Sequence, residues 1–274
     1  MEPLIVTVAA IGAELTRDQQ PNLPLSPEDV ARDAQQCESA GAAIYHLHVR
    51  DAAGRPTMDV DTFRTWHDAV TSSTDLIVQF TTGGAVGDSE EARLAPLELA
   101  PEMATLTTGT VNFGDDVFLN PAPFVERLYG RLLAGDILPE YEIFDSGMIA
   151  SACALYDTMD ARHHRHFDFV LGVPGGMPAW PDAVGFLAAK LPAGATWSAT
   201  GIGRNHDLVA AQAIDNGGHV RTGFEDVRYV APGELAHSNA QLVERVVNAA
   251  TERGREIGGP TAARRTLGLG PRTR

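Results

Sequence analysis

The 274-residue chain is short of cysteine, has no excess of positive charge and contains no long apolar run, and each shortage narrows what it does. Its two cysteines, Cys37 and Cys153, each fall inside an apolar helical pattern without a CxxC spacing, which excludes a disulfide framework and predicts reduced thiols. The formal charge of −15 repels nucleic acid and anionic membrane surfaces, so no nucleic acid and no membrane are expected as partners, and a small molecule is favoured. The opening MEPLIVTVAA has no basic segment ahead of its apolar run, and that run ends before Glu14, short of the ~20 residues that cross a bilayer. A cytoplasmic protein is the expectation. The turn after this run, AAIGAEL, lacks the glycines of a GxGxxG, which argues against an open doubly wound sheet.

What the chain does have is alternation: short β-branched runs separated by longer segments of helical period. Strands are predicted at Leu4 to Ala9, Ala43 to His48, Leu76 to Phe80, Met103 to Thr107, Glu142 to Phe144, Phe167 to Gly172, Thr196 to Thr200 and His219 to Gly223. Helices are predicted at Ser26 to Ala40, Asp59 to Ser72, Ser89 to Leu99, Pro121 to Leu133, Gly147 to Thr158, Pro181 to Lys190, Asn205 to Asp215 and Gly233 to Arg255. Ser26-Pro27-Glu28-Asp29 supplies a capping hydroxyl, a first-turn proline and acids at the positive end of a dipole, and Gly41 and Gly217-Gly218 supply left-handed stops. Eight such units in about 250 residues close most economically as an α/β (β/α)8 TIM barrel. The whole chain, 1–274, reads as one domain, with 256–274 as a Gly/Arg-rich C-terminal extension outside the barrel.

In such a barrel the reacting groups sit at the carboxyl ends of the strands, which gives every polar residue a test. His46 and His48 lie two apart at the end of the second strand, so both imidazoles share a face, as a metal requires. Glu225, just past the eighth strand, is the carboxylate best placed to complete them, and a His-His-carboxylate set leaves a position open for water or substrate. Zinc is the first choice of ion, although cobalt, manganese and iron accept the same donors.

Other polar groups cluster at the same end. Arg221 is placed to hold Asp226 ionised as a base or relay, unless the two form an ordinary rim ion pair. The Thr81-Thr82-Gly83-Gly84 turn and Thr107-Thr108-Gly109 offer hydroxyls and close-approaching N–H groups to a carboxylate or oxyanion. Glu14, Glu142 and Asp145, where they point inward, select a substrate with positive charge. Val173 to Met177 and Gly201 to Arg204 follow the sixth and seventh strands, close to the loops seven and eight that usually cradle phosphate in this fold, which would suit a nucleotide-like or coenzyme A tail. The Arg162-His163-His164-Arg165-His166 cluster precedes the sixth strand and falls at the opposite face, where it reads as a solvated turn.

Together HLHVRD, the TTGG turn, FVLGVPGGMP, WSATGIGRN and GGHVRTGFED resemble the β-keto acid cleavage enzyme family, and the resemblance runs from LIVTVAAIGAE to REIGGPTAARRTLGL. It implies a zinc-dependent barrel that exchanges a β-keto acid with acetyl-CoA, giving acetoacetate and a new CoA thioester. On the matching positions it implies His46, His48 and Glu225 as zinc ligands, Asp226 supported by Arg221 as the acid/base group, and Thr81 to Gly84 as the carboxylate or oxyanion site. It further implies that Glu14 meets a cationic substrate group and that the protein is a homotetramer, and it leaves open whether Thr105 or Thr107 faces the substrate. Two rivals stand beside it. One is a metal-dependent barrel hydrolase or aldolase, and the other a non-catalytic metal- or ligand-binding barrel.

Overall fold

A computed structural model describes residues 2–159 and 161–271 of the chain. In it, parallel strands close into a barrel in chain order: β1 (Val6–Ala9), β2 (Ile44–Leu47), β3 (Ile77–Phe80), β4 (Met103–Thr107), β5 (Leu138–Ile143), β6 (His166–Leu171), β7 (Thr196–Gly201) and β8 (His219–Thr222). Val6, Thr7 and Val8 pair with Val220, Arg221 and Thr222, so the last strand returns to the first. Around them run α1 (Pro27–Ala40), α2 (Val60–Ser73), α3 (Glu90–Leu94), α4 (Ala122–Ala134), α5 (Gly147–Thr158), α6 (Ala183–Ala188), α7 (His206–Asp215) and α8 (Asn239–Glu252), with α9 (Pro260–Thr266) following. The expected barrel is the observed one. The fifth strand begins at Leu138 instead of Glu142, because Pro139 and Glu140 interrupt the apolar run by which a strand is recognised.

Local chemistry explains the helix ends. The Ser26 hydroxyl accepts from the Asp29 amide, Pro27 stands at the first position, and Gly41 leaves α1 in the left-handed region at φ 110°. The third predicted helix breaks into α3 and a 3-10 turn over Ala95–Leu99, since Pro96 has no amide hydrogen to continue the ladder. Three antiparallel hairpins went unpredicted in the loops above the barrel: Val49–Arg50 with Pro56–Thr57, Val111–Phe113 with Asp116–Phe118, and Tyr229–Ala231 with Glu234–Leu235. The last occupies residues expected to begin the final helix, which starts at Asn239 behind its Ser238 cap.

Strand side chains alternate, so each strand serves two cores. Tyr45, Leu47, Val78, Phe80, Leu106, Tyr141, Phe167 and Phe169 face the helices in the larger cluster. On the other face, Ile5, Ile44, Ile77, Met103 and Leu138 close the amino-terminal end of the barrel. Two residues further along the same strands the interior becomes polar, with His46, Gln79, Thr105 and Glu140 all buried.

The tail corrects the expectation of an extension outside the barrel. Ala263 and Leu267 pack onto the apolar plug, Gly258 donates to the Leu4 carbonyl, and Arg264 grips both Glu102 oxygens at 2.6 and 2.7 Å. Its composition hid this, because two buried apolar side chains, one within a short helix and one just past it, give no periodic signal. Residues 272–274 of that predicted extension lie outside the described residues. Leu267→Ala is therefore expected to cost about 3 kcal/mol, within the range for a fully buried leucine, while kcat stays at the wild-type value. Chemical denaturation checks it, and a loss under about 1 kcal/mol would mean the tail does not seal the barrel.

The histidine cluster is also corrected. It lies at the amino-terminal end as expected, but it is no solvated turn: His166 opens β6 and is buried inside the barrel, 3.1 Å from Glu140 Oε2. His163 stacks on Tyr141, and its Nε2 lies 3.1 Å from the Tyr141 hydroxyl.

Candidate active site

At the carboxyl end of β2, His46 and His48 project to the same side with their ring centroids 5.1 Å apart. The third partner arrives through tight packing. Gly223 adopts φ 135° where a Cβ would lie 2.2 Å from the Ala9 carbonyl oxygen, so only glycine lets the chain cross the end of β1 there. Beyond it, the Glu225 amide donates to Ala9, and the Phe224 amide donates to the buried Asn239 side chain. Glu225 is thereby aimed between the two imidazoles. Its Oε2 is 3.7 Å from His46 Nε2 and its Oε1 is 3.7 Å from His48 Nε2.

Among the described residues these three form the one group of His, Cys, Asp or Glu whose donor atoms all lie within 4.8 Å of one another. Two of their features fit a divalent cation. Glu225 Oε2 is buried without a hydrogen-bond partner, an expensive state for a carboxylate oxygen unless an ion takes it. Ligand bonds of about 2.0–2.2 Å hold two donors of one ion roughly 3–3.5 Å apart, close to the spacing seen. Protonation agrees. Burial, then the nearby Arg221, lowers His46 to about 3 and also lowers His48, so both rings are neutral, the state a metal ion would need. Burial pushes Glu225 up, but Arg221 and the two histidines more than offset it and bring the carboxyl to about 2.

Arg221, on β8 and itself buried, ties the site together. Its Nε and Nη2 each donate to Asp226 at 3.0 Å, Nη2 also donates to Glu225 at 2.6 Å, and Nη1 lies 3.6 Å from Glu142 Oε1. Burial raises Asp226 to about 6 against the opposing pull of Arg221, leaving a carboxylate closer to neutrality than usual. Burial likewise raises Glu142 to about 7, with Arg221 and Thr107 opposing.

A cavity of about 470 Å³ opens above these groups. Glu14, Thr81, Gly83, Gly84, Glu142, Arg221, Asp226 and the three prospective ligands reach its wall, as the sequence led one to expect. Two threonines stand back from it. The Thr82 hydroxyl donates to the Thr105 carbonyl at 2.8 Å and the Thr82 amide donates to the Thr105 hydroxyl oxygen at 3.1 Å, bracing β3 against β4. Thr107 donates to Glu142 Oε2 at 2.6 Å, so its expected catalytic place becomes one behind that carboxylate. Asp145 also falls away from the cavity, where it accepts from the Gly147 amide at the start of α5.

Neither loop expected to cradle phosphate is preformed for it. The Gly176, Met177, Ile202 and Gly203 amides donate to protein carbonyls, and what these loops give the cavity is the apolar wall of Val173, Pro174 and Ile202. Sequence reasoning also missed several residues. Phe113, Asp116 and Phe118 of the second hairpin overhang the cavity, and buried Arg93 braces that hairpin by donating to the Leu119 carbonyl and the Asn120 side chain. Gln79, whose Oε1 lies 2.7 Å from His46 Nδ1, was legible only as an amide interrupting an apolar strand.

The beta-keto acid cleavage enzyme family model matches residues 3–269. A 3-keto-5-aminohexanoate cleavage enzyme of Fusobacterium nucleatum subsp. nucleatum is 46% identical over 271 residues, 98% of this chain and 99% of that one. The enzyme of the same name from Acetoanaerobium sticklandii is 42% identical, again over 98% of this chain and 99% of its own. A 3-oxoadipate:acetyl-CoA acetyltransferase of Cupriavidus necator is 35% identical over 98% of this chain and 95% of that one. Among solved structures, apo ObcA superposes with a TM-score of 0.79 at 21% identity, covering 91% of this chain and 66% of the longer ObcA chain, a likeness of fold.

Proposed function

The chain belongs to the beta-keto acid cleavage enzyme family, and from that premise we propose that it exchanges an ammonium-bearing β-keto acid with acetyl-CoA, using a zinc ion held by His46, His48 and Glu225. In the exchange the bond between C2 and C3 of the keto acid breaks and a bond from C2 to the acetyl carbon forms. Acetoacetate leaves, and the remaining acyl group passes to the CoA sulfur, so neither water nor an oxidant is consumed. The observation that carries the metal part is the unpaired, buried Glu225 Oε2 facing His46 Nε2.

When bound, the cation supplies a Lewis acid that polarises the keto and carboxylate oxygens and acidifies the C2 hydrogens. Everything else falls to this chain's side chains. Asp226 takes the C2 proton, its basicity set by burial against the pull of Arg221, and the two hydrogen bonds from Arg221 keep it aimed. Thr81 and the Gly83-Gly84 turn receive the substrate carboxylate or the oxyanion that forms. The half-buried carboxyl of Glu142 and the mouth residue Glu14 give the cavity its acidic wall, with Thr107 steadying Glu142. Arg221 is already engaged by Glu225 and Asp226, so the wall favours an ammonium group over a second carboxylate. The names of the relatives at 46% and 42% identity point the same way, to 3-keto-5-aminohexanoate as the substrate.

We further place the protein in the cytoplasm as a homotetramer. No helix of the described residues is long and apolar enough to cross a membrane, and exposed Trp180, Phe186 and Leu208 on and beside α6 and α7 support the assembly.

The test is to incubate the protein with β-keto acids, with and without acetyl-CoA, while following acetoacetate and measuring metal content. Turnover of 3-keto-5-aminohexanoate only when acetyl-CoA is present supports the reading, and turnover with water alone would replace it with a hydrolase. Glu14→Gln is expected to lower kcat/KM about 10-fold for the ammonium-bearing substrate, a loss of roughly 1.4 kcal/mol, and to leave an uncharged analogue unaffected. Equal losses on both would remove Glu14 from cation recognition.

A further inference from the structure

Arg93, on α3, is buried against neutral oxygens and makes no ion pair among the described residues. Its Nε donates to the Thr82 carbonyl at 2.6 Å, its Nη1 to the Leu119 carbonyl at 2.8 Å and its Nη2 to Asn120 Oδ1 at 2.6 Å. The same group lies over two rings, its central carbon 4.9 Å from the Phe118 centroid and 4.4 Å from that of Phe124. A cation sealed away without a carboxylate is costly, so its place calls for a function. We infer that Arg93 is a positioning residue for the reaction: it fixes the Thr82–Gly83 peptide and, through it, directs the Thr81 hydroxyl hydrogen into the cavity. The inference rests on the reading above that the Thr81 to Gly84 turn receives a substrate oxygen.

A trans peptide is planar, and its C=O and N–H point in opposite directions. With the Thr82 carbonyl drawn to Arg93, the Gly83 N–H turns the other way, where Thr81 Oγ1 accepts it at 3.1 Å. A hydroxyl that accepts there keeps its own hydrogen to give. Thr81 reaches the cavity wall, and among the described residues no protein oxygen takes that hydrogen. Cation, peptide and hydroxyl thus point one way, so each hydrogen bond polarises the next and strengthens the last donor. A reversed peptide would present its carbonyl to Thr81. The hydroxyl would then donate to that carbonyl and bring only lone pairs to a substrate anion. Burial lowers Arg93 to about 10, so the cation at the head of the chain persists at neutral pH.

The other two donors of Arg93 hold the cover of the same turn. Leu119 and Asn120 directly follow the second hairpin, and Asn120 Nδ2 donates back to the Phe118 carbonyl at 3.4 Å. The Phe118 ring rests on the turn, since a Cβ added to Gly83 would lie 3.4 Å from its Cζ. One rigid fork therefore sets both the donor turn and the aromatic ring that shields it. A lysine ammonium in its place would keep the charge and lose the fork, because it has no planar set of donors spaced to serve both segments at once.

The test is a double-mutant cycle on the full chain supplied with zinc, read by kcat in the exchange reaction and by calorimetric affinity for acetoacetate. Thr81→Ala is expected to lower kcat about 100-fold, as loss of one oxyanion donor does, and Arg93→Met about 30-fold, with the KM for acetyl-CoA within about twofold of wild type. Arg93→Lys should lose about 10-fold. In the Thr81→Ala background neither Arg93 variant should lower kcat by more than about twofold, because the hydroxyl that Arg93 directs is gone. Acetoacetate affinity should follow the same pattern. The inference is overturned by Arg93→Met with kcat within about threefold of wild type, or by losses that multiply in the double variant, as a packing role alone would give. Thr81→Ala without effect, or a wild type that binds no acetoacetate, would instead sink the reading of the turn. Hydrogen exchange at the Gly83 amide then decides the orientation of the peptide: exchange about tenfold faster in Arg93→Met supports the inference, and equal rates overturn it. Should Arg93→Met fail to fold, Arg93→Lys takes its place in the cycle and in the exchange measurement.

Discussion

Exchange of Asp226 for asparagine should lower kcat about 10³-fold while zinc content and thermal stability stay near those of the parent protein. The substitution keeps an oxygen for Arg221, which retains its 2.6 Å bond to Glu225 and its approach to Glu142, so the buried cation is not stranded. What disappears is the one carboxylate at the cavity wall whose burial raises its basicity and whose two oxygens are oriented by a guanidinium. General bases contribute 10²- to 10⁴-fold, and the middle of that range corresponds to about 4 kcal/mol of barrier. KM should change far less than kcat, because the proton is transferred only beyond the ground state. A decline smaller than tenfold, measured at saturating acetyl-CoA, would assign the proton transfer elsewhere, with Glu142 the next residue to replace.

Removing an imidazole should be more severe. His48→Ala is expected to weaken zinc about 10³-fold and to bring turnover down to that of the chelated parent, since losing even the partners behind a ligand costs 10- to 100-fold. Added zinc should restore part of the activity if affinity is what was lost. The fold should survive, because the barrel is closed by strand pairing and by the apolar clusters on either side of it, and none of these needs the His48 ring. Isothermal titration of the stripped protein checks the affinity. Zinc bound as tightly by the variant as by the parent would separate His48 from the site, and Glu225 would then need another explanation for its unpaired oxygen.

How much of this could be read beforehand depends on the range over which each signal acts. His46 and His48 declared themselves locally, because side chains two apart on a strand share a face whatever surrounds them. The caps of α1 were equally local: a serine, a proline, two acids and a closing glycine act within one turn of the helix. Thr82 and Thr107 were found at the right end of the barrel and given the wrong partners, since their rotamers are decided by Thr105 and Glu142 on neighbouring strands. The phosphate loops failed for a related reason. Glycine content advertises free amides, but whether those amides are already engaged depends on carbonyls as distant as Phe144 and Asp226. His166 misled because a run of histidines and arginines resembles solvent-facing sequence, whereas barrel closure turns one of them inward onto Glu140.

By itself the sequence determined the parallel barrel, its chain order, the end at which the chemistry sits and the pair of imidazoles that begins the site, because strand alternation, helix period and caps are properties of near neighbours. Only the tertiary structure decided that Thr82 and Thr107 turn to Thr105 and Glu142, that Arg221 reaches toward Glu142 as well as Asp226, that Gln79 stands behind His46 and that the tail seals the far end. Each of these contacts joins residues far apart in the chain or fixes one rotamer among several. They exist because closing β8 onto β1 forces eight inward-facing rows of side chains to share one interior, and no local pattern records which of them will touch.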